Sequence, residues 1–156
     1  MNSLLLTGGT TSYALKIMNL LSDKFIITLG TADEIPSIMN KHFVKLPSTT
    51  ISSYIHEVLK LALENKITYI LPIEEKEILL FSQNLSLFEE YGIKIISPNF
   101  DEIGSLHLTS TLNKNSHLTI LIDGIDLLNN NKTTFNYSGC GYLTETKKEF
   151  ILIAIK

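Results

Sequence analysis

Arginine is missing altogether from this chain of 156 residues, and all 13 of its basic side chains are lysines. The planar fork that grips phosphates and carboxylates in bidentate fashion is therefore absent. So are the commonest guanine-reading side chain and any arginine finger. The lysines are scattered apart from Lys147-Lys148, and the formal net charge is −3. No basic stripe tracks a polyanionic backbone, so no nucleic-acid partner is expected. Cysteine is nearly as scarce. Cys140 alone cannot close an internal disulfide, which fits a reducing, cytoplasmic setting. Long apolar runs are lacking too: none approaches the ~18 residues that cross a bilayer. The opening Met1-Asn2-Ser3-Leu4-Leu5-Leu6-Thr7-Gly8-Gly9 has no basic leader and reads as a first strand rather than a signal peptide, so no membrane partner is expected.

Several kinds of chemistry are excluded in the same way. His42, His56, His107 and His117 form no i, i+4 pair and have no cysteine partners, so no metal site is expected. Cys140 lies between two glycines without a motif-level base and reads as a turn residue, not a nucleophile. Asp123 and Asp126 flank Gly124 and read as solvated turn acids. No Ser-His-Asp set and no G-x-x-x-x-G-K-[ST] loop is present.

What remains is ordinary globular composition, with 44% hydrophobic and 19% charged residues. The first hundred residues alternate strand and helix. Leu4-Leu5-Leu6 is a buried run, followed by apolar residues at helical spacing from Ala14 to Leu21. Phe25-Ile26-Ile27-Thr28-Leu29 is a second strand and residues 42–46 a short third. Residues 31–40 read as loop with at most one helical turn, since Pro36 disfavours helix at Ile35. A helix capped by Ser48 or Thr49 carries an apolar stripe from Ile51 to Leu63. Thr68-Tyr69-Ile70-Leu71 is a strand stopped by Pro72. Residues 74–91 read as one helix ending at Gly92, and 93–96 as a fifth strand. Short helices between buried strands force parallel pairing. The expected fold is α/β: a Rossmann-like open parallel sheet of about five strands with helices on both faces. After about His107 the pattern changes: 109–116 is polar linker, 117–122 a strand, Asp123-Gly124 a turn, 129–132 a polar loop, 133–137 a possible strand, 138–141 a turn, and 150–155 a last strand. The expected organisation is a Rossmann-like domain over 1–106 and a short antiparallel β meander over 107–156, packed on the same domain.

Two segments carry the site candidates. In Thr7-Gly8-Gly9-Thr10-Thr11-Ser12 a strand runs into paired glycines and then a helix, leaving backbone amides at a helix N-terminus. Glycine lets a ligand approach the backbone, and the hydroxyls of Thr7, Thr10, Thr11 and Ser12 add donors. The alternative is a tight turn with Thr11 or Ser12 as helix cap. The second segment, Leu71-Pro72-Ile73-Glu74-Glu75, also ends a strand and begins a helix. In an open α/β sheet it falls beside the glycine loop, so Pro72, Glu74 and Glu75 join the candidate ligand-binding residues. Its alternative is acidic residues that complement the helix dipole. Asp33 and Glu34 fall beyond the second strand rather than at its tip, poorly placed for ribose contact.

Taken together, these residues resemble the pre-ATP-grasp domain, the N-terminal piece of carboxylate–amine ligases such as biotin carboxylase and the carbamoyl-phosphate synthase large subunit. The similar stretches are Leu5-Leu6-Thr7-Gly8-Gly9, then 67–75, then Phe88-Glu89-Glu90-Tyr91-Gly92-Ile93-Lys94-Ile95-Ile96-Ser97-Pro98, and Ile103-Gly104-Ser105-Leu106. They span about residues 3–106. In that family the domain serves the acceptor-substrate side and subunit contacts, so the resemblance implies that Gly8, Gly9, Glu74 and Glu75 face a small carboxylate- or amine-type ligand. The residues after 106 contain no glycine-rich phosphate lid, no lysine–strand pattern for the nucleotide and no acidic metal pair followed by asparagine. The resemblance therefore implies a non-catalytic stand-alone domain that binds a small ligand or a partner protein, as a homodimer or with a separate ATP-grasp chain. No cofactor is expected on this chain alone. ATP and magnesium would enter only through a second reading, in which the chain is the N-terminal subunit of a split ATP-dependent ligase.

Overall fold

The computed structural model describes residues 1–35, 37–111, 117–146 and 148–156. Its first half is a five-stranded parallel sheet built from β1 (Asn2–Leu6), β2 (Phe25–Thr31), β3 (Phe43–Lys45), β4 (Tyr69–Leu71) and β5 (Lys94–Ile95), in the order β3-β2-β1-β4-β5. Leu4, Leu5 and Leu6 in the central strand are fully buried. A strand covered on both faces needs such an unbroken apolar run, because alternate side chains point to opposite layers.

Helices cover both faces. On one, α2 (Tyr54–Glu64), α3 (Glu75–Ser82) and α4 (Leu85–Glu90) pack Tyr54, Val58, Ala62, Phe81 and Phe88 against Leu5 and Ile70. On the other, α1 (Ser12–Leu21) packs Ala14, Ile17 and Leu21 against Leu4, Leu6 and Leu71. The stripe expected from Ile51 begins later than the spacing suggests. Ser48 Oγ accepts from the Thr50 amide, a local turn that holds 49–53 out of the helix, and α2 starts at Tyr54 without a side-chain cap. The single helix expected over 74–91 is also broken. Asn84 donates its side-chain amide to the Leu80 carbonyl, and such side chain–backbone bonds compete with helix continuation. Residues 37–42 form a short 3₁₀ helix, and Pro36 lies outside the described residues.

The remainder is larger than the three-strand meander expected. After the short helix α5 (Phe100–Ile103) come β6 (His107–Thr109), β7 (Leu118–Ile122), β8 (Ile125–Asp126), β9 (Asn131–Lys132), β10 (Gly139–Leu143) and β11 (Phe150–Ile153). They form a six-stranded mixed sheet in the order β6-β11-β10-β7-β8-β9, with β6 parallel to β11 and the other pairs antiparallel. Residues 138–141, read as a turn, are mostly strand. Their glycines serve close strand approach, since a Cβ on Gly141 would stand 1.9 Å from the Ile151 carbonyl oxygen. Residues 133–137 are irregular instead. The expected linker starts too early, because Thr109 closes β6; residues 112–116 lie outside the described residues.

One face of this second sheet, through Leu118, Ile120, Cys140, Tyr142 and Ile153, shares a core with α1 and the parallel sheet. Its other face, through Leu121, Phe150 and Leu152, packs on Ile78 of α3 and Ile103 of α5. Among the described residues no helix is long and apolar enough to cross a membrane.

Candidate functional site

Two chain reversals meet at the middle of the parallel sheet. From β1 the chain winds outward to β2 and β3, then crosses over to β4 and β5 on the opposite side. A crevice opens where such a sheet changes direction, beyond the carboxyl ends of the adjacent strands. Here those ends are Thr7-Gly8-Gly9 after β1 and Pro72-Ile73-Glu74 after β4, brought together by the Leu6–Leu71 pairing.

The contact between them is close. Gly8 has φ +62, and a Cβ there would stand 2.9 Å from Ile73 Cγ1 and 3.4 Å from Glu74 Cγ. Buried Thr7 accepts the Ile73 amide at 3.2 Å on its hydroxyl. Thr11 is the helix cap: its hydroxyl donates to the Gly8 carbonyl at 2.7 Å and accepts from the Ala14 amide. Gly9 is spent on structure, with its amide on the Gly30 carbonyl and its α-carbon against Leu29 and Phe43. A bulky side chain at Gly9 would thus disturb packing whether or not a ligand binds. Among the described residues the Gly8 and Thr10 amides have no protein acceptor. Ser12 is exposed at the start of α1.

Asp33 also joins the rim. β2 runs on through Thr31, two residues past the expected end, because Leu46 donates its amide to the Thr31 carbonyl and β3 pairs alongside. Asp33 therefore stands next to the strand tip, where its carboxylate accepts from the Thr10 hydroxyl at 3.0 Å.

The β4–α3 reversal is tied down from the other side. Ile155 donates its amide to the Ile73 carbonyl and accepts from the Glu75 amide at 2.8 Å each. One of the orphan amides at the α3 N-terminus is thus satisfied by backbone from the end of the second sheet. Glu74 is the N-cap position, and its side chain makes no capping bond. It lines a groove of about 530 Å³ with Thr49, Glu75, Lys76, Ile155 and Lys156. Burial, then the Asp33 carboxylate, raises the Glu74 carboxyl above its ordinary range.

The residue that sequence reasoning missed lies one turn further along α3. Glu77 is 3% exposed. Its Oε1 accepts from the Tyr54 hydroxyl at 2.8 Å, while Oε2 has no hydrogen-bond partner. Burial is the main cause that lifts its carboxyl to about 7, with Glu74 adding to the rise and contacts to Thr7 and Tyr54 opposing it. The Tyr54 phenol is held protonated well above its usual range by burial and by Glu77. The only sequence signal was spacing: Glu74 and Glu77 are i, i+3, which places both on one side of the helix start. Among the described residues no lysine forms an ion pair with Glu74, Glu75 or Glu77.

The other candidates do not join this site. Cys140 is buried in the shared core, which pushes its thiol up to about 12. All four histidines are exposed. Asp123 pairs with Lys94 at 2.9 Å, and buried Asp126 accepts from the Leu128 amide and the Asn129 side chain, so both serve the local turns. A larger groove of about 1180 Å³ between Lys16 and Leu20 of α1 and strands β7 to β10 has Asp126 as its buried acid, already satisfied. No family model matches the chain, and no curated protein matches it.

Proposed function

We propose that the chain is a non-catalytic ligand-binding domain of the pre-ATP-grasp type, holding a small carboxylate- or amine-type ligand in the crevice between the glycine loop and the β4–α3 reversal. One observation carries this reading: Gly8 and Glu74 stand side by side where the sheet changes direction, so that a Cβ on Gly8 would come 3.4 Å from Glu74 Cγ, with a half-buried carboxyl on one side and, among the described residues, two amides without a protein acceptor on the other. The second sheet favours a stand-alone domain over the subunit of a split ligase. The chain after β5 folds back over α1 and shares its core instead of leading away from it.

The test is a thermal-shift screen against acetate, bicarbonate, small amino acids, ADP and ATP–magnesium, with Thr10→Ala and Glu74→Gln beside the parent chain. Thr10 is exposed and Glu74, though half-buried, makes no capping bond, so each substitution should leave the fold intact. A ligand at ~100 times its dissociation constant stabilises by about 2.7 kcal/mol, or roughly 5–10 °C for a chain of this size. The expected result is a shift with one of these compounds that changes in both variants, shrinking in Glu74→Gln for an amino compound and growing there for a carboxylate. Shifts of equal size in parent and variants would place binding elsewhere and defeat the proposal.

A further inference from the structure

Glu77 is an anomaly in a core that otherwise satisfies its polar groups. Among the described residues its Oε2 is the one buried side-chain oxygen or nitrogen without a partner. An orphaned carboxylate oxygen costs free energy and needs a physical reason. The groups around it come from three elements: Tyr54 from α2, Thr7 from the end of β1, and Glu74 from the reversal before α3. Beyond Glu74 stands Asp33, and the groove outside is lined by Glu75, Lys76 and Lys156. Among the described residues no lysine pairs with Glu74, Glu75 or Glu77, although Lys76 and Lys156 line the same groove; the Lys45 ammonium beside Asp33 is held by the Ala32 and Asp33 carbonyls.

We propose that the crevice is a binding site for an organic ammonium group, with Glu74 as its outer carboxylate and Glu77 as its inner one. This rests on the small-ligand reading above and chooses between its two ligand chemistries. A carboxylate ligand would have to enter beside Asp33, Glu74 and Glu77 with no arginine to offset them. An ammonium brings three donors and the opposite charge, and can satisfy Oε2 while pairing with Glu74. A metal ion suits the geometry less well, because among the described residues no three metal-ligating side chains converge. Whatever carries the ammonium lies along the groove bounded by Thr49 and Ile155.

Binding of this kind is linked to protons. The ammonium needs Glu77 ionised, and the buried carboxyl titrates at about 7. With the competent fraction setting apparent affinity, binding should weaken about tenfold from pH 8 to pH 6. An aliphatic diamine stays charged over that range.

The experiment is a nitrogen–proton NMR titration of the full chain with 1,4-diaminobutane at pH 8 and pH 6, with acetate and glycerol as companion titrants. The expected result is movement of the Gly8, Glu74 and Ile155 amide signals, about tenfold weaker in affinity at pH 6, and lost in Glu77→Gln at both pH values. A second variant, Glu74→Gln, should weaken binding and leave the pH dependence in place. Diamine binding that survives Glu77→Gln would overturn the inference. So would movement of those signals with acetate or glycerol but not diamine, which would leave the crevice reading intact. Silence with all three titrants would overturn both.

Discussion

Replacing Glu77 with glutamine should make the protein more stable, and should do so only as pH rises. The side chain is buried and its carboxyl is raised from 4.5 to about 7, chiefly by desolvation. A carboxyl whose folded value lies above its unfolded value holds the proton more tightly when folded. Its stabilising contribution is complete below the unfolded value and is lost as pH climbs through the folded one. By pH 8 both states are ionised, and the folded state carries the full cost of a buried charge. At ~1.4 kcal/mol per pH unit the difference amounts to roughly 3 kcal/mol. Glutamine is nearly isosteric, keeps an oxygen to accept from the Tyr54 hydroxyl, and places a neutral amide where Oε2 stood.

The assay is urea unfolding of parent and variant at half-unit steps from pH 4 to pH 8.5, read as the difference between the two at each pH. Taking the difference cancels most other titrating groups. It should be near zero at pH 4, rise through pH 5–7, and level off with the variant ahead by roughly 3 kcal/mol. A difference that stays flat with pH would show that Glu77 does not titrate in this range. A variant less stable than the parent at pH 8 would show that the carboxylate is compensated by something the Tyr54 and Thr7 contacts do not explain. A stabilising substitution at a single buried acid would fit a residue retained for binding at a cost in stability.

Two further outcomes test the rest of the structure. The Cys140 thiol, enclosed in the core and pushed up to about 12, should be silent to a disulfide exchange reagent at pH 8 in native buffer and react fully in denaturant; fast native labelling would mean the second sheet does not close over α1. Gly124→Ala should destabilise by roughly 2–4 kcal/mol in urea unfolding, since φ is +82 there and a Cβ would fall 1.9 Å from the Phe135 carbonyl oxygen; a loss under ~1 kcal/mol would refute the β7–β8 turn geometry.

The parallel sheet was legible because its signals are local and redundant. Three consecutive leucines, a glycine pair and a helical repeat each demand the same βα unit, and the strand–helix alternation then leaves few topologies. The second sheet was legible only in part. Its strands are short, and β10 is built on Gly139 and Gly141, which read as turn residues until the nearness of the Ile151 carbonyl explains why a side chain is excluded. Its parallel strand β6 is even less visible, because what makes His107-Leu108-Thr109 a strand is β11, more than forty residues away in sequence. The Asp123-Gly124 reversal, with both residues at positive φ, is the turn that twisted hairpins favour, and that one was readable from the dipeptide alone.

The candidate site divides along the same line. Thr7 to Ser12 and Pro72 to Glu75 are contiguous motifs at strand ends, and the sheet order that brings them together follows from the fold class. Glu77, Tyr54 and Asp33 belong to no motif. Tyr54 and Glu77 occupy positions that a hydrophobic repeat would assign to core and surface respectively, and only the packing of α2 against α3 turns them into a buried pair. A glutamate in the first turn of a helix is ordinarily explained by the helix dipole, and Glu75 needs nothing more. Glu77 differs because burial removes the solvent that would make the dipole a sufficient account. Once the charge is enclosed, a favourable dipole of about 1 kcal/mol cannot offset a desolvation several times larger. The residue then has to be neutral, or paired with something that arrives from outside. The pH dependence of the Glu77→Gln difference reports the first of these states, and the diamine titration reports the second.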